Sequence, residues 1–412
     1  MKRKLQFIWT IALGVLFVVG CQEKDSFTPQ SELSSNANKV IPGQYIVQFK
    51  ESTFANGRYS APTYEGMLTV VGDLGKATLR MAQIDFANED ILHVYGVTQG
   101  FAIKNLDENE VESLRKNPNV EYVEQDRVVA LEDPIGGVDI VESTSVSAQA
   151  QVKPWGITRV GGGGNYLGTR QAWIIDTGVD LNHPDLNVVK TKCKSFVSSV
   201  SAAASADDDN GHGSHVAGII GAKNNTIGCI GVAAGAPVIG IKVLAASGYG
   251  SYSDIIAGCN WVAAKAAPGD VANLSLGGGA YTPMDNAVKA IAAKGIKVCV
   301  AAGNYGDDAN YYSPARANAT NLYTVSAFGT GDIFAYFSNY GNPPIDYAEP
   351  GVNVYSCYKN GGYATLSGTS MAAPHLAGIL LLGNVSPNGK VKNDYDKNAD
   401  VIGIAGGLGV GN

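Results

Sequence analysis

The sequence predicts an α/β architecture, a doubly wound parallel sheet with helices on both faces, preceded by a small α+β domain. Three observations carry this. From residue 151 onward, short apolar runs alternate with helix-like stretches, as strands joined by covering helices do. Between 39 and 131 the pattern differs: short alternating strands surround one acidic-headed helix. The chain also has 412 residues, more than one ordinary domain needs.

The elements can be justified in order. Lys2, Arg3 and Lys4 precede an apolar core from Phe7 to Val19, too short to cross a bilayer as a mature helix. Val18-Val19-Gly20-Cys21 then resembles the bacterial lipobox, in which the cysteine is lipidated and becomes the first residue. The plain alternative is an ordinary signal peptide; polar Gln22-Glu23-Lys24-Asp25 favours lipidation of Cys21. Either reading exports the protein. Residues 22–38 are polar and read as a tether.

Within 39–131, Tyr45–Phe49 alternates as a strand, and 91–95 and 100–103 suggest two more. Asp107-Glu108 opens a helix that presents Val111 and Leu114 on one face; Asn117-Pro118-Asn119 stops it, and Val120–Glu124 is a further strand. Residues 132–150 contain Asp133-Pro134 and Gly136-Gly137 and read as a linker open to proteolysis. The 151–412 unit shows the runs 172–175, 238–244, 271–276 and 296–301, with helix-like stretches at 252–265 and 284–294. No internal repeat is present.

Composition excludes several classes. Apolar residues make up 45% and charged residues 16%, a globular profile. A net charge of −7 without a basic block argues against nucleic-acid binding. There are six cysteines and no C-x-x-C, so a structural zinc site is not expected. With Cys21 assigned to the leader, five remain; that odd number leaves a thiol over, and the pairing stays open.

Three motifs carry chemistry. Ile174-Ile175-Asp176-Thr177-Gly178 ends an apolar strand in a carboxylate and a turn. Gly211-His212-Gly213-Ser214-His215 places two of only five histidines before an apolar stretch. It lacks the i,i+4 spacing and glutamate of a helical zinc site, so His212 suits a general base. Gly368-Thr369-Ser370-Met371-Ala372 sets a serine among small residues at a helix start, where backbone N–H groups can bind an anion. Alone, each reads as a turn, a capping residue or a packed histidine. Together they occur in the order Asp, His, Ser.

At this point the chain resembles the subtilase family, peptidase S8. D-T-G, H-G-x-H-V-A-G and G-T-S-M-A-x-P-H are its three signature blocks. The words GQYIVQFK and NPNVEYVEQDRVV resemble the inhibitory propeptide of these enzymes, an inhibitor I9-type, ferredoxin-like domain. The resemblance implies a secreted serine endopeptidase, made as a zymogen, with Asp176, His212 and Ser370 as catalytic triad. Ala301-Ala302-Gly303-Asn304 resembles the block that supplies the oxyanion donor Asn304. Ser275, Leu276, Gly277 and Gly278 resemble the strand that pairs with a peptide substrate and walls its S1 pocket, and Tyr312 belongs to that pocket in the proteinase K branch, which this chain is nearest. Large apolar or aromatic P1 side chains are expected.

The resemblance further implies a structural calcium, held by Gln151, Asp185 and Asn225 with the carbonyls of Lys223, Ile227 and Cys229. Asp346 is a second candidate. His183, His215 and His375 read as structural. Expected partners are protein or peptide substrates, the chain's own propeptide, and a membrane through Cys21; the enzyme reads as a monomer. Ser214 and Leu376 depart from the usual Thr and Val, and the tail after Gly383 is short and glycine-rich. Two rival readings make different demands on the sequence. A non-catalytic surface lipoprotein using this fold for binding predicts a lost triad member, and none is lost. A lipase or esterase predicts G-x-S-x-G around the nucleophile, which Ser370 lacks.

Overall fold

The structure is a computed structural model that describes residues 38–55, 57, 59–131, 135–141, 150–199 and 205–406. The expectations for Cys21, for the leader and for nearly all of the 22–38 tether lie outside these residues, as does most of the 132–150 linker. Among the described residues no helix is long and apolar enough to cross a membrane.

The first unit runs β1 (Val40–Phe49), α1 (Tyr64–Met81), β2 (Ile91–Tyr95), β3 (Gly100–Ile103), α2 (Glu108–Arg115) and β4 (Val120–Ala130). Its sheet is antiparallel, in the order β4-β1-β3-β2. Side chains alternate along a strand, and this sheet uses both faces. Tyr45, Val47, Phe49, Phe101 and Ile103 point into a core with α1 and α2. Ile46, Ala102 and Val129 point the other way, into the core of the second unit. Asp107 and Glu110 close α2 with a reciprocal capping box at 2.9 Å.

Helix α1 is absent from the sequence reading. Gly66, Gly72 and Gly75 dilute its helical signal, each costing about 1 kcal/mol against Ala. Tertiary packing explains one of them: a Cβ on Gly75 would stand 3.2 Å from the Phe101 ring, so glycine lets the helix lie on the sheet.

The second unit is a long sheet. The strands that place the site are β5 (Ala172–Asp176), β6 (Pro237–Lys242), β7 (Tyr249–Ser251), β8 (Val271–Leu274), β9 (Gly278–Gly279), β10 (Lys297–Ala301), β11 (Tyr312–Ser313), β12 (Leu322–Gly329) and β13 (Ile345–Pro350). Strands β6-β5-β8-β10-β12-β13 are neighbours and all parallel. Helices α3 (His212–Gly221) and α6 (Thr369–Leu382) pack on one face, and α4 (Tyr252–Lys265) and α5 (Thr282–Ala292) on the other. Successive strands depart from β5 in opposite directions, so the crevice beyond β5 and β8 is the switch point where such sheets bind ligands. The hairpin β14 (Val354–Cys357) and β15 (Tyr363–Leu366) precedes α6.

Most expected elements fall within a residue or two. Helix α5 begins at Thr282 rather than 284, because Pro283 is tolerated in a first turn. In the tail, Val385–Lys390 and Val401–Ala405 add two strands to the sheet edge, and Ile402 is fully buried against Phe328 and Ala348.

Leu79→Ala removes a fully buried side chain between α1 and the first sheet. It is expected to cost about 2–5 kcal/mol, read as a lower urea midpoint for the first unit's transition in an uncleaved Ser370→Ala chain.

Candidate active site

Asp176 is the last residue of β5 and has no solvent contact. His212 is the first residue of α3 and is buried, 6% exposed. Its Nδ1 lies 2.8 and 3.0 Å from the two Asp176 oxygens. With Nδ1–H donated there, the second nitrogen, Nε2, is left as the basic one. Burial pushes the His212 pKa down, but the Asp176 charge and hydrogen bond, with a contribution from Asp208, outweigh it. The net position is above the ordinary 6.5.

The approach of α3 to β5 requires glycine at 213. A Cβ there would stand 2.0 Å from the Gly178 carbonyl oxygen. Asp208 locks the same corner. Its carboxylate accepts from Thr177 Oγ1, the N–H groups of Asn210, Gly211 and Ser214, and Ser214 Oγ at 2.6 Å. Thr177 Oγ1 in turn accepts from Gly213 N. Ser214 keeps the hydroxyl that this network needs, so its replacement of Thr changes no partner type. The sequence reading missed Asp208; the run Asp207-Asp208-Asp209 just before the histidine block was the available signal.

Ser370 is the second residue of α6, where backbone N–H groups have no intrahelical acceptor. Its hydroxyl donates to the Ser275 carbonyl at 3.2 Å, and Ser275 Oγ donates to the Ser370 carbonyl at 2.7 Å. Asn304 follows β10 through Gly303, which holds φ +103°. Asn304 Oδ1 accepts from Thr369 N and Thr369 Oγ1 at 2.7 and 2.9 Å. Because the backbone N–H can only donate, the amide orientation is fixed and its NH₂ faces away from Thr369.

Ser275, Leu276, Gly277, Gly278, Asn304, Tyr312 and Ser370 all line one pocket of about 360 Å³, floored by Ala301, Ala302 and Ala315. Strand β9 pairs with β11, and the Tyr312 ring stacks on Tyr305 at 4.7 Å. A further strand pairing went unread in the sequence. Strand β7 pairs antiparallel with the end of β4, with Tyr249 opposite Ala130, Gly250 opposite Val129 and Ser251 opposite Val128. Leu131 N then donates to Gly248 O at 2.9 Å, and Ile135 N to Ser367 O at 3.2 Å. The only hint in the sequence was the small-residue run Ser247–Ser251.

The remaining histidines are engaged elsewhere, as expected. His215 Nε2 lies 3.0 and 3.1 Å from the Val354 and Ala364 carbonyls, and burial pushes its pKa down to about 3. His183 contacts the Gly362 carbonyl and His375 the Met371 carbonyl.

The proposed cation ligands also meet. Gln151 Nε2 has four oxygens around it: Lys223 O, Asn225 Oδ1, Ile227 O and Cys229 O, at 2.7 to 3.4 Å. An NH₂ group carries two hydrogens and cannot satisfy four acceptors. Asp185 adjoins this ring, accepting from Asn225 Nδ2 at 2.7 Å. Carbonyl and amide oxygens converging on one point, with a carboxylate adjoining them, fit a hard dication. Asp346 lies apart, on β13, accepting from Thr324 N, and burial pushes its pKa up to about 6.

A buried Asp–His pair, a serine at a helix start and an amide donor on its pocket are the groups that serine hydrolase chemistry uses. Residues 173–391 match the subtilase family, Peptidase S8, and residues 44–132 match the peptidase inhibitor I9 family. The chain is 39% identical over 371 residues to alkaline serine exoprotease A of Vibrio alginolyticus, covering 88% of this chain and 64% of that protein. It is 34% identical to the extracellular serine proteinase of Thermus sp. (strain Rt41A), covering 91% and 88%, and 35% identical to proteinase R of Parengyodontium album, covering 77% and 81%. A solved cold-adapted subtilisin-like serine proteinase superposes with a TM-score of 0.53 at 33% identity, over 63% of this chain and all of that one. The chain belongs to the subtilase family and is a serine endopeptidase with an I9 propeptide domain.

In the Ser370→Ala chain, the His212 ring is expected to titrate above 6.5 by NMR. Asp176→Asn should bring it below 6.5, because burial then acts without the opposing charge.

Proposed function

We propose that the protein is an exported zymogen whose mature form cleaves peptide bonds through an acyl-enzyme, using Asp176, His212 and Ser370. The observation that supports this is the buried Asp176–His212 hydrogen bond, in a fold that also sets Ser370 and Asn304 on one pocket. The Ser370 hydroxyl turns from Ser275 O to His212 Nε2, gives up its proton there, and attacks the substrate carbonyl carbon. The Asn304 amide and the Ser370 N–H bind the resulting oxyanion. As the C–N bond breaks, the His212 proton passes to the leaving amine. Water then repeats the sequence on the acyl-enzyme, with His212 as base, and releases the acid. Asp176 holds the imidazole tautomer and stabilises its charged form. Since the base must be neutral, its raised pKa places the acid limb of activity above pH 6.5.

The small side chains flooring the pocket support large apolar or aromatic P1 groups. Residues 39–131 act as inhibitor. Their last strand occupies one wall of the cleft as a substrate would, by strand addition. Asp126, fully buried, accepts from Ser253 N at the start of α4, and His93 meets Asp254 at 2.7 Å. Leu131 N donates to Gly248 O, and Ile135 N to Ser367 O, three residues before Ser370. This supports a first cut at the start of the 132–150 linker. Gln151, Asp185 and Asn225, with the carbonyls of Lys223, Ile227 and Cys229, would hold a calcium ion whose charge replaces the crowded Gln151 NH₂ and ties the N-terminus of the mature domain to the 223–229 loop. The leader and Cys21 support export and lipid anchoring, which a Cys21→Ser chain without incorporated fatty acid would bear out.

A fluorophosphonate probe tests the central reading. The processed protein should label, with an N-terminus that falls within 132–150. Ser370→Ala should stay uncut and unlabelled while keeping its circular dichroism; equal labelling would refute the assignment. Asn304→Ala should lower kcat by about 10²–10³, the loss typical of one oxyanion donor in this family.

Chelation should lower the thermal midpoint of the mature enzyme, with recovery on adding calcium. In Asn225→Ala that calcium-dependent part should vanish, as read by differential scanning fluorimetry.

A further inference from the structure

Five cysteines lie in the described residues. Cys259 and Cys299 are each packed singly in apolar surroundings, and Cys193 Sγ accepts from Gly240 N. Cys229 and Cys357 differ. They are 128 positions apart in sequence, yet their sulfurs stand 3.9 Å apart, with 1% and 0% exposure. Among the described residues, no other pair of cysteine sulfurs makes a hydrogen-bond-range contact.

We propose that Cys229 and Cys357 are joined by a disulfide in the exported protein, leaving Cys193, Cys259 and Cys299 as thiols. The proposal rests on the export reading above. The bond forms while the second unit folds, before the site closes. One thiolate attacks the disulfide of an extracytoplasmic thiol oxidase and forms a mixed disulfide. The second thiolate then displaces the oxidase sulfur. The two thiol protons and two electrons end on the oxidase, whose disulfide is reduced to a dithiol.

A disulfide is neutral and apolar, which suits a site where both sulfurs are buried among apolar side chains. A metal is the competing reading, because an Asp185 oxygen and both sulfurs lie within 4.8 Å of one another. The Asp185 carboxylate is already engaged. Oδ2 accepts from Cys229 N and Tyr363 Oη at 3.1 and 3.2 Å, and Oδ1 from Asn225 Nδ2.

The cross-link would have a purpose in this fold. Cys229 closes the 223–229 loop, and its carbonyl accepts from Gln151. Cys357 ends β14, whose hairpin with β15 clamps α3: His215 reaches the Val354 and Ala364 carbonyls, and Ser356 Oγ donates to His215 O. The disulfide thus ties the candidate cation loop to the seat of His212.

The test is a non-reducing peptide map of the full-length Ser370→Ala chain, exported from its host, denatured in EDTA and alkylated without reductant. The expected result is one linked peptide pair holding Cys229 and Cys357, 2 Da lighter than the two thiols, with Cys193, Cys259 and Cys299 alkylated. Alkylation of Cys229 and Cys357 under these conditions overturns the proposal, whether they were bare thiols or metal ligands, and so does a bond to any other cysteine. In a second arm, dithiothreitol should lower the thermal midpoint of the wild-type mature enzyme by about 5–10 °C and leave a Cys229→Ser/Cys357→Ser chain unmoved. An equal shift in both overturns it. Fluorophosphonate labelling is read in parallel, so a failure of the protease reading is seen separately.

Discussion

A carboxylate with no access to water stands at the end of a central strand, and much of the second unit is arranged around it. Burying the Asp176 side chain carries a desolvation cost of several kcal/mol unless donors replace water. Thr177 N at 2.7 Å and His212 Nδ1 at 2.8 Å are those donors. The histidine can reach only if α3 begins against β5, which forces glycine at 213. The corner then holds because Asp208 gathers five donors from three segments. One buried charge therefore dictates the start of a helix, the identity of a glycine and a second buried acid.

The same economy links the two units. In the first, alternate residues of one sheet serve two cores, so the domain folds on its own helices and still presents an apolar face. That face meets α4 and α5, while β4 supplies its edge to β7. Backbone hydrogen bonds give this contact affinity that depends little on side-chain identity, as inhibition and substrate binding at one cleft both require.

Legibility in the sequence followed locality. The three motif blocks were readable because each compresses its constraint into consecutive small residues around one reactive group. Asn304 was readable for the same reason. Helix α1 was not, since Gly75 serves a contact with Phe101 that is remote in sequence. Asp208 was hidden because its partners at 177, 210, 211 and 214 matter only once folded. The pairing at 248–251 was hidden because it is made by the backbone, which leaves no side-chain signature.

By itself, the sequence determined the order of the reactive groups, the alternation of strands and helices, and the division into two units, because these depend on spacing and polarity along the chain. Tertiary structure decided the rest. It set which way the Asn304 amide faces, since a backbone N–H at Thr369 must find an acceptor. It chose which two of five cysteines meet, since contact across 128 positions is a property of packing and not of spacing. It also set Leu131 against Gly248 and Ile135 against Ser367, since such backbone pairing is a property of the fold and not of spacing.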